Sequence, residues 1–279
     1  MYLPCNDELL FLGNGWIFSL YDSISNVCYF FFGILGVFLI HNSALHRLEK
    51  MSTAQFRATQ NPVVSPWHTM LLYAWIIVIG CASTVYHSTL QPWSLCADFF
   101  AIKIFGIILI YALSNRLHFF NSFIFLGLAA FSLLATGGLL GASTLDPTYG
   151  AYSNTTYNII VTTLMAIAYS LILYQLYTNV VPLESNWTLE KPMHETLRDE
   201  HRLAKKNLIL STVLFGVALV FYFAPKLACD HIRGRPYLHM HAYWHLFSAA
   251  SLFFCVKSVS HLYDGPSSQL RDSQRRRNV

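Results

Sequence analysis

Long apolar runs constrain the fold of this chain more than any other feature of its sequence. Hydrophobic residues make up 54% of the 279 residues and charged residues 11%, about half the charged share of a soluble domain. Because a helix satisfies its own backbone hydrogen bonds in lipid, runs that approach or reach about twenty apolar residues predict membrane-spanning helices. We therefore predict an all-α integral membrane protein, a seven-transmembrane helix bundle, with spans at residues 24–42, 67–86, 97–115, 119–141, 156–178, 207–224 and 237–259.

The distribution of Lys and Arg predicts the orientation of this bundle. The loops after the second, fourth and sixth spans carry only Lys226, Arg233 and Arg235. The basic residues on the other side are Arg47, Lys50, Arg57, Arg116, Lys191, Arg198, Arg202, Lys205, Lys206, Arg271 and residues 275–277. By the positive-inside rule, the amino terminus is lumenal and the carboxyl terminus cytosolic. Residues 1–262 are predicted to form a single membrane domain, and residues 263–279 a basic cytosolic tail that is disordered.

Charge and cysteine usage narrow the function classes. The net charge of +4 comes from residues spread over cytosolic loops without a folded basic platform, which argues against nucleic-acid binding. The segment 195–206 mixes acids and bases at helical spacing, as is typical of a solvated helix. Cys5 and Cys229 both fall on the predicted lumenal side, so a disulfide between them is a hypothesis. We predict the bilayer as partner and predict no protein partner.

Polar residues recur at helical spacing inside the apolar runs. His241 and His245 lie four residues apart in the seventh span and therefore share one helix face. Ser83 and His87 show the same spacing at the end of the second span, and Asp98 opens the third. The predicted topology brings all five to one layer near the lumenal surface, as a shared site requires.

These residue types suit a hydrolytic zinc site. Three neutral imidazoles, from His87, His241 and His245, would leave a fourth tetrahedral position open for water. Asp98 could accept a proton from that water and deliver it to a leaving group, while Ser83 could hold the water, orient Asp98 or donate to an oxyanion. Taken singly, Ser83 could instead bond back to the carbonyl of residue 79, His87 could be interfacial, and Asp98 could cap a helix.

At these residues the chain resembles the alkaline ceramidase family. That family belongs to a larger group of seven-span hydrolases, which includes adiponectin-type receptors and the lipases that remodel GPI anchors. The matching segments are residues 83–90, Asp98, Cys229-Asp230, residues 241–246 and, at the start of the first span, residues 20–27. The resemblance implies zinc on His87, His241 and His245, with Asp98 and Ser83 serving the bound water. It also implies hydrolysis of the ceramide amide to sphingosine and a fatty acid, which we expect in the endoplasmic reticulum or Golgi membrane.

One part of the family pattern is altered. The family has a Trp-Cys-Glu motif near the amino terminus and a glutamate at the start of span one, which are associated with calcium. Here Asn6-Asp7-Glu8 and Ser19 stand at these places. Asp7, Glu8 and Asp22 remain as candidate oxygen ligands for calcium.

Two other functions are compatible with the same residues. One is a lipase that cuts an ester bond of a GPI-type or other phospholipid. The other is a seven-span receptor or scaffold in which zinc is structural. Three protein ligands with an open position favour catalysis over a structural role.

Overall fold

A computed structural model describes residues 9–12, 16–50, 67–89, 92–117, 191–227 and 240–263. Two short strands come first, β1 (Leu9–Leu12) and β2 (Trp16–Ser19), which pair antiparallel with Leu9 opposite Ser19. The remaining elements are helices: α1 (Leu20–Ser25), α2 (Val27–Lys50), α3 (Trp67–Thr89), α4 (Pro92–Leu117), α5 (Lys191–Leu227) and α6 (Met240–Tyr263).

The predicted all-α membrane bundle is confirmed. Predicted spans one, two, three, six and seven coincide with α2 to α6. Within the described ranges, three segments are long and apolar enough to cross a bilayer: Asp22–Asn42, Thr69–Thr89 and Arg202–Phe223. Predicted spans 119–141 and 156–178 lie outside the described residues, so the count of seven stays a prediction, as does the tail after α6.

Two local features differ from the sequence-based expectation. The amino-terminal β-hairpin was not predicted, and the first span does not begin as one continuous helix. A turn at Asn26 separates α1 from α2, and the Asn26 carbonyl accepts a hydrogen bond of 3.0 Å from the Tyr29 amide. The charged segment 195–206 is the first part of α5, which continues without interruption into the predicted sixth span.

Helix α3 lies at the centre of the described bundle, where it packs against α1, α2, α4 and α6. Its inward face supplies fully buried apolar side chains, among them Leu72, Tyr73, Ile76 and Ile79. The Trp75 indole donates a hydrogen bond of 2.8 Å to the Ala101 carbonyl of α4. Tight apolar packing of this kind fixes the rotation of α3, and therefore the direction in which its last turn presents His87.

Helices α5 and α6 pack along each other through small polar residues. Ser211 donates a hydrogen bond of 2.8 Å to the Ser251 carbonyl, and Ser251 donates one of 2.9 Å to the Ser211 carbonyl. Further along, Ser258 donates to the Ala204 carbonyl at 2.8 Å. Small hydroxyl side chains let membrane helices approach closely and bond across the interface. This contact holds α6 in place beside α3.

Candidate metal centre

Three histidines meet where the end of α3 adjoins the start of α6. His87 lies in the last turn of α3, His241 is the second residue of α6, and His245 follows one turn later. The ring centroids are 5.1 Å apart for His87 and His241, 5.0 Å for His87 and His245, and 4.6 Å for the last pair. His87 and His245 are 5% and 2% exposed and His241 is half-buried, so most of this polar cluster is shielded from solvent.

The ring nitrogens of this cluster are close enough to share one ion. One nitrogen from each ring lies within 4.8 Å of the others, and among the described residues this is a group with metal-binding geometry. Nitrogens about 2.0–2.1 Å from a common tetrahedral ion lie about 3.4 Å apart, so modest ring rotations bring them into coordination. A set of imidazoles without thiolates suits zinc and other divalent transition metals.

A carboxylate and a hydroxyl from α1 stand behind two of the rings. Asp22 Oδ2 lies 3.8 Å from His87 Nδ1, with both side chains buried. Ser25 Oγ lies 2.8 Å from His245 Nδ1 and also donates a hydrogen bond of 2.8 Å to the Asp22 carbonyl. Two side chains of the short helix α1 therefore lie against the cluster, one beside His87 and one beside His245.

The structure describes Ser83 and Asp98, and the catalytic roles predicted for them stay predictions. Ser83 is 3% exposed and lies one turn before His87 on α3. Asp98 lies in α4 within electrostatic range of the Tyr29 hydroxyl, and the Tyr29 ring lies 6.0 Å from the His245 ring. Asp98 Oδ1 is buried, with no hydrogen-bond partner among the residues that the structure describes. An unpartnered buried carboxylate oxygen is costly, and a water in the site would satisfy it.

The structure thus brings together the three predicted histidines and adds a residue that the sequence did not indicate, Ser25. Asp22, considered as a calcium ligand, is found beside His87. Asp22 lies two residues before the predicted first span and begins the observed apolar segment Asp22–Asn42, where an ionisable group is rare and costly. Asp7, Glu8, Cys5 and Cys229 lie outside the described residues, so the calcium site and the disulfide stay predictions.

Comparison with known proteins identifies a family. The family model described as Ceramidase matches residues 16–275, which is nearly the whole chain and includes all three histidines. No curated protein matches the chain.

Proposed function

The chain belongs to the ceramidase family, and from this premise we propose that it hydrolyses the amide bond of ceramide to sphingosine and a free fatty acid. The reaction takes place at a zinc ion held by His87, His241 and His245. The observation that carries the proposal is the convergence of these imidazoles, from helices more than 150 positions apart in sequence, in one cluster of a membrane bundle.

The metal ion and Asp98 would have different roles in the proposed reaction. A bound zinc ion supplies Lewis acidity, which polarises the amide carbonyl and makes a water molecule a nucleophile near neutral pH. Asp98 takes a proton from the attacking water and passes it to the sphingosine nitrogen as the C–N bond breaks. The carbonyl carbon keeps the oxygen of water, so the products are a primary amine and a carboxylic acid.

Ser83 is the proposed hydrogen-bond donor to the carbonyl oxygen as negative charge develops on it. Such a donor, fixed before reaction, costs no reorganisation when the charge appears. Its burial one turn from His87 supports this role. Thr84, its neighbour on α3, instead donates to the Gly80 carbonyl of its own helix at 2.7 Å.

The substrate is proposed to enter sideways from the bilayer. The outer face of α2 exposes large apolar side chains, with Phe31, Ile34 and Phe38 each 59–60% exposed, as expected for contact with lipid. Acyl and sphingoid chains then lie among apolar helices while the amide reaches the histidines. We propose the endoplasmic reticulum or Golgi membrane as the location, and the distribution of Lys and Arg supports a site at the lumenal end of the bundle.

Ceramide turnover by the purified protein in detergent tests the proposal. The wild-type protein should release sphingosine, and the His241→Ala variant should not. His261→Ala is the matched control, because it removes the same ring from the other end of α6, about 30 Å away. Wild-type release no greater than that of His241→Ala, over a broad pH range, rejects the activity.

Substrates with an ester in place of the amide separate amidase from lipase activity. A preference for phospholipid or GPI-type esters over ceramide would replace the amidase by a lipase. Retention of all measurable function in Asp98→Ala, together with loss of folding in His87→Ala, would favour a structural metal.

A further inference from the structure

The hydrogen bonds of Ser25 in α1 determine which ring nitrogen of His245 carries the proton. The Ser25 hydroxyl has a single proton, and that proton is donated to the Asp22 carbonyl at 2.8 Å. The contact of 2.8 Å between Ser25 Oγ and His245 Nδ1 must then run the other way. His245 Nδ1–H donates to Ser25 Oγ, which leaves the lone pair of this ring on Nε2.

The Asp22 carboxylate favours the same tautomer in His87, with the proton on Nδ1. An ionised carboxylate only accepts hydrogen bonds, and its Oδ2 lies 3.8 Å from His87 Nδ1. This distance is longer than a direct hydrogen bond, so the interaction is electrostatic; it favours the proton on Nδ1 and the lone pair on Nε2. Asp22 therefore influences both rings. Its carboxylate acts on His87 directly. Its backbone carbonyl orients the Ser25 hydroxyl, which in turn contacts His245.

We propose that Asp22 and Ser25 are positioning residues, which hold His87 and His245 in the tautomer and orientation that bind the metal through Nε2. A metal-bound imidazole commonly donates its second N–H to such a partner, which raises the basicity of the binding nitrogen. The inference rests on the proposed metal site. It adds two residues of α1 to that site as hydrogen-bonding or electrostatic partners of the ligands. Both residues belong to α1, which ends at Ser25, one residue before the turn at Asn26.

Zinc affinity, measured by chelator competition on purified full-length protein without substrate, tests this inference. Asp22→Asn and Ser25→Ala should each weaken zinc binding about 10- to 100-fold. Ser25→Thr, which keeps the hydroxyl, should restore most of the affinity. Ser23→Ala is the matched control: Ser23 also lies in α1 and is buried, and its Oγ bonds to none of the residues that the structure describes.

The outcomes separate this inference from the proposed function. Wild-type affinity for zinc in both Asp22→Asn and Ser25→Ala overturns it while leaving the metal site intact. Loss of calcium binding in Asp22→Asn with unchanged zinc affinity also overturns it and supports the calcium assignment. Absence of zinc binding by the wild type rejects the metal site itself.

Should the variants fail to fold, a structure of the zinc-loaded wild type decides the point. Coordination through Nε2 of His87 and His245, with each Nδ1 facing α1, is the expected result. Coordination through Nδ1 of either ring contradicts the assignment.

Discussion

The proposed role of Asp98 as general base can be tested by substitution. Its carboxylate has a buried oxygen that forms no hydrogen bond with the residues that the structure describes. Replacement of Asp98 by Asn keeps the size of the side chain but removes its basicity. Loss of a positioned general base typically lowers turnover by 10²–10⁴-fold. We expect a decrease in ceramide turnover of about that size, with zinc content unchanged, because none of the three proposed ligands is altered.

Asp199→Asn is the control for this substitution, since Asp199 is exposed near the start of α5. It should leave turnover at the wild-type level. Equal zinc content and equal turnover in Asp98→Asn and the wild type would remove Asp98 from the mechanism.

Some residues of the candidate site could be predicted from the sequence, and others could not. His87, His241 and His245 could be predicted, because spacing fixed the helix face and topology fixed the depth. Ser25 could not, since a serine near the end of a span is equally compatible with contact to water or to its own backbone. Its partner His245 lies 220 positions away, and only the packed bundle brings the two together.

At the scale of elements, helices α2 and α3 pack closely against each other. A Cβ atom on Gly36 would overlap the Tyr73 ring, so the two helices approach closely only because this residue lacks a side chain. We expect Gly36→Ala to force the helices apart and to destabilise the bundle by about 1–3 kcal/mol. A lowered thermal unfolding midpoint in detergent would report this.

Gly216→Ala provides the comparison, because a Cβ on Gly216 in α5 meets nothing within 4 Å. It should leave the midpoint unchanged or raise it slightly, since Ala favours helix over Gly. Equal midpoints for the two variants would show that α2 and α3 are not packed as described.

Helix existence was predictable, while helix boundaries and breaks were less so. Apolar runs gave the positions of α2 to α6 because burial in lipid selects long uninterrupted helices. No proline marks the break at Asn26, and the sequence does not show that this residue becomes fully buried in the bundle. The hairpin of β1 and β2 precedes this break. It was not predicted, because its strands are only four residues long and give too short a pattern.

For the molecule as a whole, the one-sided distribution of Lys and Arg predicts the orientation. Tags fused to the two termini and probed with antibodies after selective permeabilisation of the plasma membrane test it. The carboxyl-terminal tag should be accessible at once, because the basic residues resist translocation. The amino-terminal tag should appear only after the internal membranes are also opened.

Complete permeabilisation is the control in this experiment, since it must reveal both tags. Early accessibility of the amino-terminal tag would reverse the orientation and move the histidine cluster to the cytosolic side. The fold and the proposed chemistry would survive that result, but the lumenal placement would not.

We propose that three imidazoles from α3 and α6, whose ring nitrogens lie within 4.8 Å of one another, bind one zinc ion. Elemental analysis of the purified protein measures the bound zinc itself. We expect about one zinc per chain in the wild type and in His261→Ala, and close to none in His241→Ala. A catalytically active wild-type protein without zinc, or a zinc content that His241→Ala leaves unchanged, would contradict it.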